Sequence, residues 1–325
     1  MRLRPLVLTL AVLGGLAAGA TVAVREARER YLAPGPLEQQ RTIIVPHGTH
    51  AEVGEALQKA GLIRDARSFD IAAMLTAGGG PLRASEFVFP ANASLRDVLT
   101  ILRTAKPVQH RLTIPEGLTA AQIATLLDHA NALAGDVPVP AEGALLPESY
   151  AYELGMTRAQ MVDRAALAMQ RTLARLWAER DPAIPLQQPQ QLVTVASIIE
   201  RETARPEERA RIAGVFMNRL RRNMPLQSDP TVIYAISGGT MSGGRVLSRA
   251  DLDADNPYNT YRAPGLPPGP IGSPGLAAMQ AAARPLATDE LYFVADGTGG
   301  HVFARTLDEH NRNVARWRAT QAAPR

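Results

Sequence analysis

Cysteine does not occur in the 325 residues, which excludes disulfides, thiolate nucleophiles and lipid attachment through an N-terminal cysteine. Aromatic residues make up only 5% of the chain, so a core has to be built mainly from Ala, Leu, Ile and Val. Lysine is almost missing, occurring only at Lys59 and Lys106, and arginine carries nearly all the basic charge. The six histidines are scattered without ligand spacing, and there is no phosphate-cradling glycine loop, so no metal and no cofactor are expected. Zinc-finger spacing, RNA-binding aromatic runs and dense basic clusters are also missing. The formal net charge of +4 is therefore read as an ordinary basic surface and not as a nucleic-acid footprint.

What is present starts at the N-terminus. Arg2 and Arg4 precede an uncharged stretch from Pro5 to Val24, and Arg25, Arg28 and Arg30 follow. About 20 apolar residues are what a helix needs to cross a bilayer. Ala18-Gly19-Ala20 resembles a signal-peptide cleavage site, so removal of this segment is the alternative. The apolar run continues to Val24, which favours a retained anchor. Either way, everything beyond Arg25 is expected outside the cytoplasm.

Residues 25–41 are charged and proline-containing and read as a linker. Three short β-like runs then end in proline, at Thr42 to Pro46, Phe87 to Pro90 and Leu112 to Pro115. Each leads into apolar positions at helical spacing: Val53 and Leu57, then Val98, Ile101 and Leu102, then Ile123, Leu126 and Leu127. Thr49, Ser94 and Thr119 are the expected N-caps. The repeated strand–turn–helix unit is similar to LysM modules that grip N-acetylated glycans, and it reads equally well as a plain spacer. Small and proline-rich residues from Ala134 to Glu142 mark a boundary.

The expected architecture is α+β, with an anchor at 1–24, a linker at 25–41, a LysM-like repeat domain at 42–133 and a mainly helical domain at 134–325. In that last domain helices are expected over Met156 to Arg180, Gln188 to Thr203 and Pro206 to Met224. Gly- and Pro-rich loops from Gly238 to Pro274 follow, then a helix from Pro274 to Ala283. A strand at Leu291 to Ala295 and a helix from Thr306 to Trp317 complete the short list of elements.

The segment Leu192 to Ile199 is apolar on nearly every face and should be buried all round. It runs into Glu200-Arg201-Glu202-Thr203. A carboxyl at the mouth of a buried helix is partly desolvated, which raises its pKa toward what a general acid needs. Glu202 lies about 200° around the helix from Glu200, so the two cannot form a tight pair. Glu200 shares a face with Ala196 and is the candidate acid. The plainer reading pairs both glutamates with Arg201, Arg205 or Arg209. Further on, Asn218, Gln227, Ser228, Asp229, Tyr234, Tyr258, Asn259 and Tyr261 bring amides, hydroxyls and rings into loops, the groups a sugar subsite uses. Each also has a structural reading, as turn starter, loop packing or backbone partner.

An ordered set of motifs then resembles one family. Ala196-Ser-Ile-Ile-Glu-Arg-Glu-Thr203, Val215-Phe-Met-Asn-Arg-Leu220 and Leu226-Gln-Ser-Asp-Pro-Thr-Val-Ile-Tyr234 are followed by Tyr258-Asn-Thr-Tyr261, Gly265-Leu-Pro-Pro-Gly-Pro-Ile271 and Leu291-Tyr-Phe-Val-Ala295. Together they are similar to the YceG-like (MltG) family of endolytic murein transglycosylases. Glu142-Gly-Ala-Leu-Leu-Pro-Glu-Ser-Tyr150 departs from the aromatic-rich segment of that family. The resemblance implies a bacterial inner-membrane, single-pass enzyme with its catalytic domain on the periplasmic side. Such an enzyme cuts peptidoglycan glycan strands between N-acetylmuramic acid and N-acetylglucosamine and leaves 1,6-anhydro ends, with Glu200 as its catalytic residue. It also implies action beside peptidoglycan synthases. The rival readings are a membrane-tethered glycan-binding scaffold without turnover and a hydrolytic muramidase.

Overall fold

The computed structural model describes residues 4–240 and 247–322, so part of the loop region after Gly238 lies outside the described residues. The protein is α+β, built of helices and three two-stranded sheets among the described residues. Contacts divide it into two compact units. One runs through His110 and takes in Tyr152–Gly155; the other holds Arg111–Ala151 and Met156–Arg325.

The first unit opens with α1 (Arg4–Leu32), which continues as helix through the first part of the segment expected as linker. Exposed pairs Arg25–Glu29 and Glu26–Arg30 at i,i+4 spacing account for helix where the sequence pattern shows only charge. Residues 1–3 of the expected anchor lie outside the described residues, and among the described residues no helix is long and apolar enough to cross a membrane. Strand β1 (Arg41–Val45) pairs antiparallel with β2 (Ser85–Phe89), Ile43 facing Phe87. Alternation puts Ile43, Val45, Phe87 and Phe89 inside and leaves Ile44 and Val88 outside. Helices α2 (His50–Lys59), α3 (Ala66–Leu75) and α4 (Leu95–Thr104) close the core with Leu57, Phe69, Val98 and Leu102. Thr49 and Ser94 cap α2 and α4 through reciprocal capping boxes with Glu52 and Asp97, as expected. Helix α3 has no counterpart in the repeat read from the sequence.

The third strand–helix copy parts from the other two. Strand β3 (His110–Thr113) pairs with β4 (Ser149–Tyr152) and not with β1 or β2. Its helix α5 (Ala120–Asp128) is capped by Thr119 with Gln122, as the pattern predicts, and belongs to the second unit.

The rest of the second unit is arranged around one helix. Helix α6 (Arg158–Ala178) leads to α7 (Pro189–Glu202), whose residues 192–199 are all buried. Around α7 pack α6, α8 (Arg209–Arg221), α9 (Asp229–Ser237) and, after the short α10 (Arg249–Asp253), α11 (Leu276–Ala283). Their shared core includes Val195, Ile198, Ile199, Phe216, Ile271 and Met279. A hairpin, β5 (Tyr292–Ala295) antiparallel to β6 (His301–Ala304), carries the closing helix α12 (Leu307–Ala322).

Candidate active site

Helix α7 has no solvent face along its middle, so packing fixes both its rotation and its axial position. Its last turn delivers two glutamates to opposite sides. Glu200 accepts from the backbone N–H of Gly275 at 2.8 Å, and its other oxygen lies 3.5 Å from Arg209 Nη2. Only 6% of its side chain is exposed. Burial pushes its pKa up, the Gly275 bond opposes that, and the like charge of Glu116 adds to it. A Cβ at Gly275 would run into the Glu116 carboxylate, which would have to swing aside.

Glu202 is the final residue of α7 and faces elsewhere. It lines a cavity of about 610 Å³ together with Arg219, Gln227, Asp229, Tyr261 and Tyr292. Ser228, itself buried, donates its hydroxyl to Glu202 Oε1. Burial is the largest influence on this carboxyl and drives its pKa up; the Ser228 bond pulls it down, the nearby charge of Asp229 raises it and Arg219 lowers it. The outcome is a pKa of about 7. A helix C-terminus is the negative end of the peptide dipole, which works against a carboxylate in the same direction.

The rest of the cavity is held by backbone hydrogen bonding. Arg219 is buried and spends its guanidinium on acceptors that are not carboxylates: Leu291 O at 2.6 Å, Pro225 O at 2.9 Å, and Leu226 O and the Gln227 side-chain oxygen at 3.0 Å each. It also lies 5.1 Å from the centre of the Tyr292 ring. Gln227 has a φ of 53°, a left-handed backbone that a non-glycine residue adopts at a cost. Two donations hold it and its neighbour there: Gln227 N to Thr260 O at 3.1 Å, and Ser228 N to Thr260 Oγ1 at 3.0 Å. Tyr261 donates to Asp229 Oδ1 at 2.6 Å, and burial, followed by that bond, raises the tyrosine pKa.

The structure thus brings Gln227, Ser228, Asp229 and Tyr261 together, but around Glu202 and not around Glu200 as the sequence reading expects. Glu200 does not line this cavity. Four other expected site residues are occupied elsewhere. Asn218 donates to Thr288 O and Glu290 O, joining α8 to the segment before β5. Asn259 is fully buried, donating to Leu252 O and Ala254 O and accepting from Tyr261 N, so it shapes the loop. Tyr234 donates to Glu142 at 3.2 Å and packs its ring 4.8 Å from that of Tyr258. Arg219, which sequence reasoning passed over, is the one arginine of its helix without exposed surface to explain it; its place inside Val215–Leu220, between apolar neighbours, is the available signal.

Fold and cavity define a class of α+β protein in which an all-buried helix ends on a buried carboxyl of raised pKa within a polar, aromatic-walled cleft. Over residues 43–316 the chain matches the model of the YceG-like family, and it belongs to that family. It is 33% identical over 325 residues to a protein of Streptococcus pneumoniae (strain D39) named endolytic murein transglycosylase, covering 84% of this chain and 58% of that one. A Bacillus subtilis (strain 168) protein of the same name is 39% identical over 173 residues, 53% of this chain and 47% of its own. The chain thus spans less than two thirds of the length of these curated relatives. A crystal structure of a YceG-like protein from Listeria monocytogenes superposes with a TM-score of 0.53 at 29% identity, covering 85% of this chain and 99% of that one.

Proposed function

We propose that the protein is an endolytic lytic transglycosylase of peptidoglycan, with Glu202 as its single acid/base. The observation that carries this is a carboxyl whose pKa sits near 7, hydrogen-bonded by Ser228 inside a cleft lined by Gln227, Asp229 and Tyr261. A group whose pKa lies near neutral pH can both give and take a proton. In the first step Glu202 protonates the glycosidic oxygen between N-acetylmuramic acid and N-acetylglucosamine as the bond to C1 breaks. The carboxylate left behind faces the Ser228 hydroxyl and the charge of Arg219, both of which favour the anion. It then removes the proton of the C6 hydroxyl of the same muramic acid while that oxygen closes on C1, giving the 1,6-anhydro end. No water is consumed, and the nucleophile is already attached to the reacting ring, so the step benefits from proximity. Asp229, held by Tyr261, is placed to favour positive charge at C1.

The name of the curated relatives supports the substrate class, and the uncharged run Pro5–Val24 supports an inner-membrane anchor with the second unit in the periplasm. The strand–helix copies are read as a LysM-like module gripping the glycan. A place beside the peptidoglycan synthases would follow from acting on nascent strands.

The test uses purified glycan strands and mass spectrometry of the products. The full chain should release fragments ending in 1,6-anhydro-muramic acid; reducing ends would mean a muramidase, and no release would mean a binding scaffold. Glu202→Gln should lose about 10²–10⁴-fold in turnover, while Glu200→Gln keeps most of it. Anhydro products from Glu202→Gln at wild-type rates would rule the assignment out.

A further inference from the structure

Helix α12 forms a second wall of the Glu202 cavity that the acid/base chemistry does not use. Leu307, His310, Asn311, Val314 and Trp317 line it, at spacings that put them on one face. A face that served only to pack would pair its polar atoms. Here the buried Nδ1 of His310 has no hydrogen-bond partner, and the exposed Asn311 side chain lines the same cavity. The His310 ring stacks on Tyr292, 5.2 Å between centres and 24° between planes. Burial, and then the charge of Arg219, lower the His310 pKa. The two tryptophans differ. Arg180 covers Trp177 at 3.8 Å, whereas the half-buried Trp317 ring has no aromatic or cationic partner among the described residues. An indole that lines a polar cavity with neither a ring nor a cation stacked on it has the geometry of a platform for a pyranose ring.

We propose that the α12 face is a glycan subsite, in which Trp317 stacks under one sugar of the strand and Asn311 and His310 hydrogen-bond the acetamide and hydroxyls of its neighbour. From Asn311 to Trp317 the helix rises ~9 Å, longer than one pyranose ring, so the two contacts fall on successive sugars. Because α12 is carried by the β5–β6 hairpin, this wall positions the strand across the acid without being part of the α7 core. The proposal rests on the reading of the cavity as the glycan cleft.

The experiment uses the full chain and peptide-free glycan strands of alternating N-acetylglucosamine and N-acetylmuramic acid. Trp317→Ala should raise KM about tenfold, the worth of one stacked ring, and leave kcat within about twofold, with Trp317→Phe restoring most of the loss. Arg316→Ala, outside the cavity lining, should change neither. A Trp177→Phe/Glu202→Gln protein keeps Trp317 as its sole tryptophan, and its emission should shift on adding the strands and saturate with their binding. An unchanged emission at saturating strands, or a Trp317→Ala that lowers kcat and leaves KM alone, would overturn the subsite. Neither result would touch the role of Glu202, which falls separately if Glu202→Gln still cleaves.

Discussion

The Ser228 hydroxyl donates to Glu202 and opposes what burial does to that carboxyl, lowering a pKa that desolvation raises; burial is the larger of the two, and the group settles at about 7. Removing the weaker influence therefore has a defined direction. In Ser228→Ala the alkaline limb of the kcat/KM profile should move upward by about one pH unit, since the proton is then held more tightly. An unchanged limb, or one displaced downward, would show that another group controls it.

The same carboxyl should make stability depend on pH. Its folded pKa of about 7 lies above the ordinary 4.5, so the unfolded chain releases this proton first as pH rises. The folded state is then disfavoured progressively between those values, by up to about 3 kcal/mol at 1.36 kcal/mol per unit. Glu202→Gln carries no such charge. It should unfold at a higher temperature than wild type at pH 8, with the gap closing toward pH 4. A gap that stays constant over that range would contradict burial as the cause.

Asn259 should behave as a structural residue despite its place in a motif full of polar side chains. Its amide satisfies the carbonyls of Leu252 and Ala254, and its oxygen holds Tyr261 N. Asn259→Ala leaves these groups buried without partners and should cost about 3 kcal/mol in urea unfolding. Because Thr260 next to it positions Gln227 and Ser228, kcat/KM should fall too. Full stability in the variant would mean that the loop is organised by something else.

Gly275→Ala separates the two glutamates. The new methyl meets the carboxylate end of the Glu116 side chain beside Glu200; Glu116 is exposed and can swing aside, so stability should fall by less than about 1 kcal/mol. Glu202 lies on the other side of α7, so turnover should stay within a few-fold of wild type. A loss as deep as that of Glu202→Gln would return Glu200 to the chemistry.

Much of this was legible in the residues, for identifiable reasons. Caps are local, so Thr49, Ser94 and Thr119 could be assigned from a hydroxyl and the residue three positions on. The buried character of α7 was equally plain. The choice between Glu200 and Glu202 was not, because a helix apolar on every side has no outward face to index the carboxyls that follow it. What decides the matter is the arrival of Ser228 and Gln227 beside Glu202, a contact across 26 residues. The partner of β3 was hidden likewise, since β4 lies some 36 residues further on. Asp229-Pro230 reads as a turn and instead opens α9, where proline suits the first turn of a helix. Loop chemistry showed which residue types would gather, while burial alone separated Asn259 from Asp229.

Since α7 is gripped along residues 192–199, the aim of its terminal carboxyl is a matter of counting. Each residue advances a helix by about 100°, so inserting or deleting one position between Ile199 and Glu202 would swing the acid a quarter turn or more away from the cleft. The eight buried residues thus act as an indexed shaft: selection on their packing is at the same time selection on the bearing of a proton.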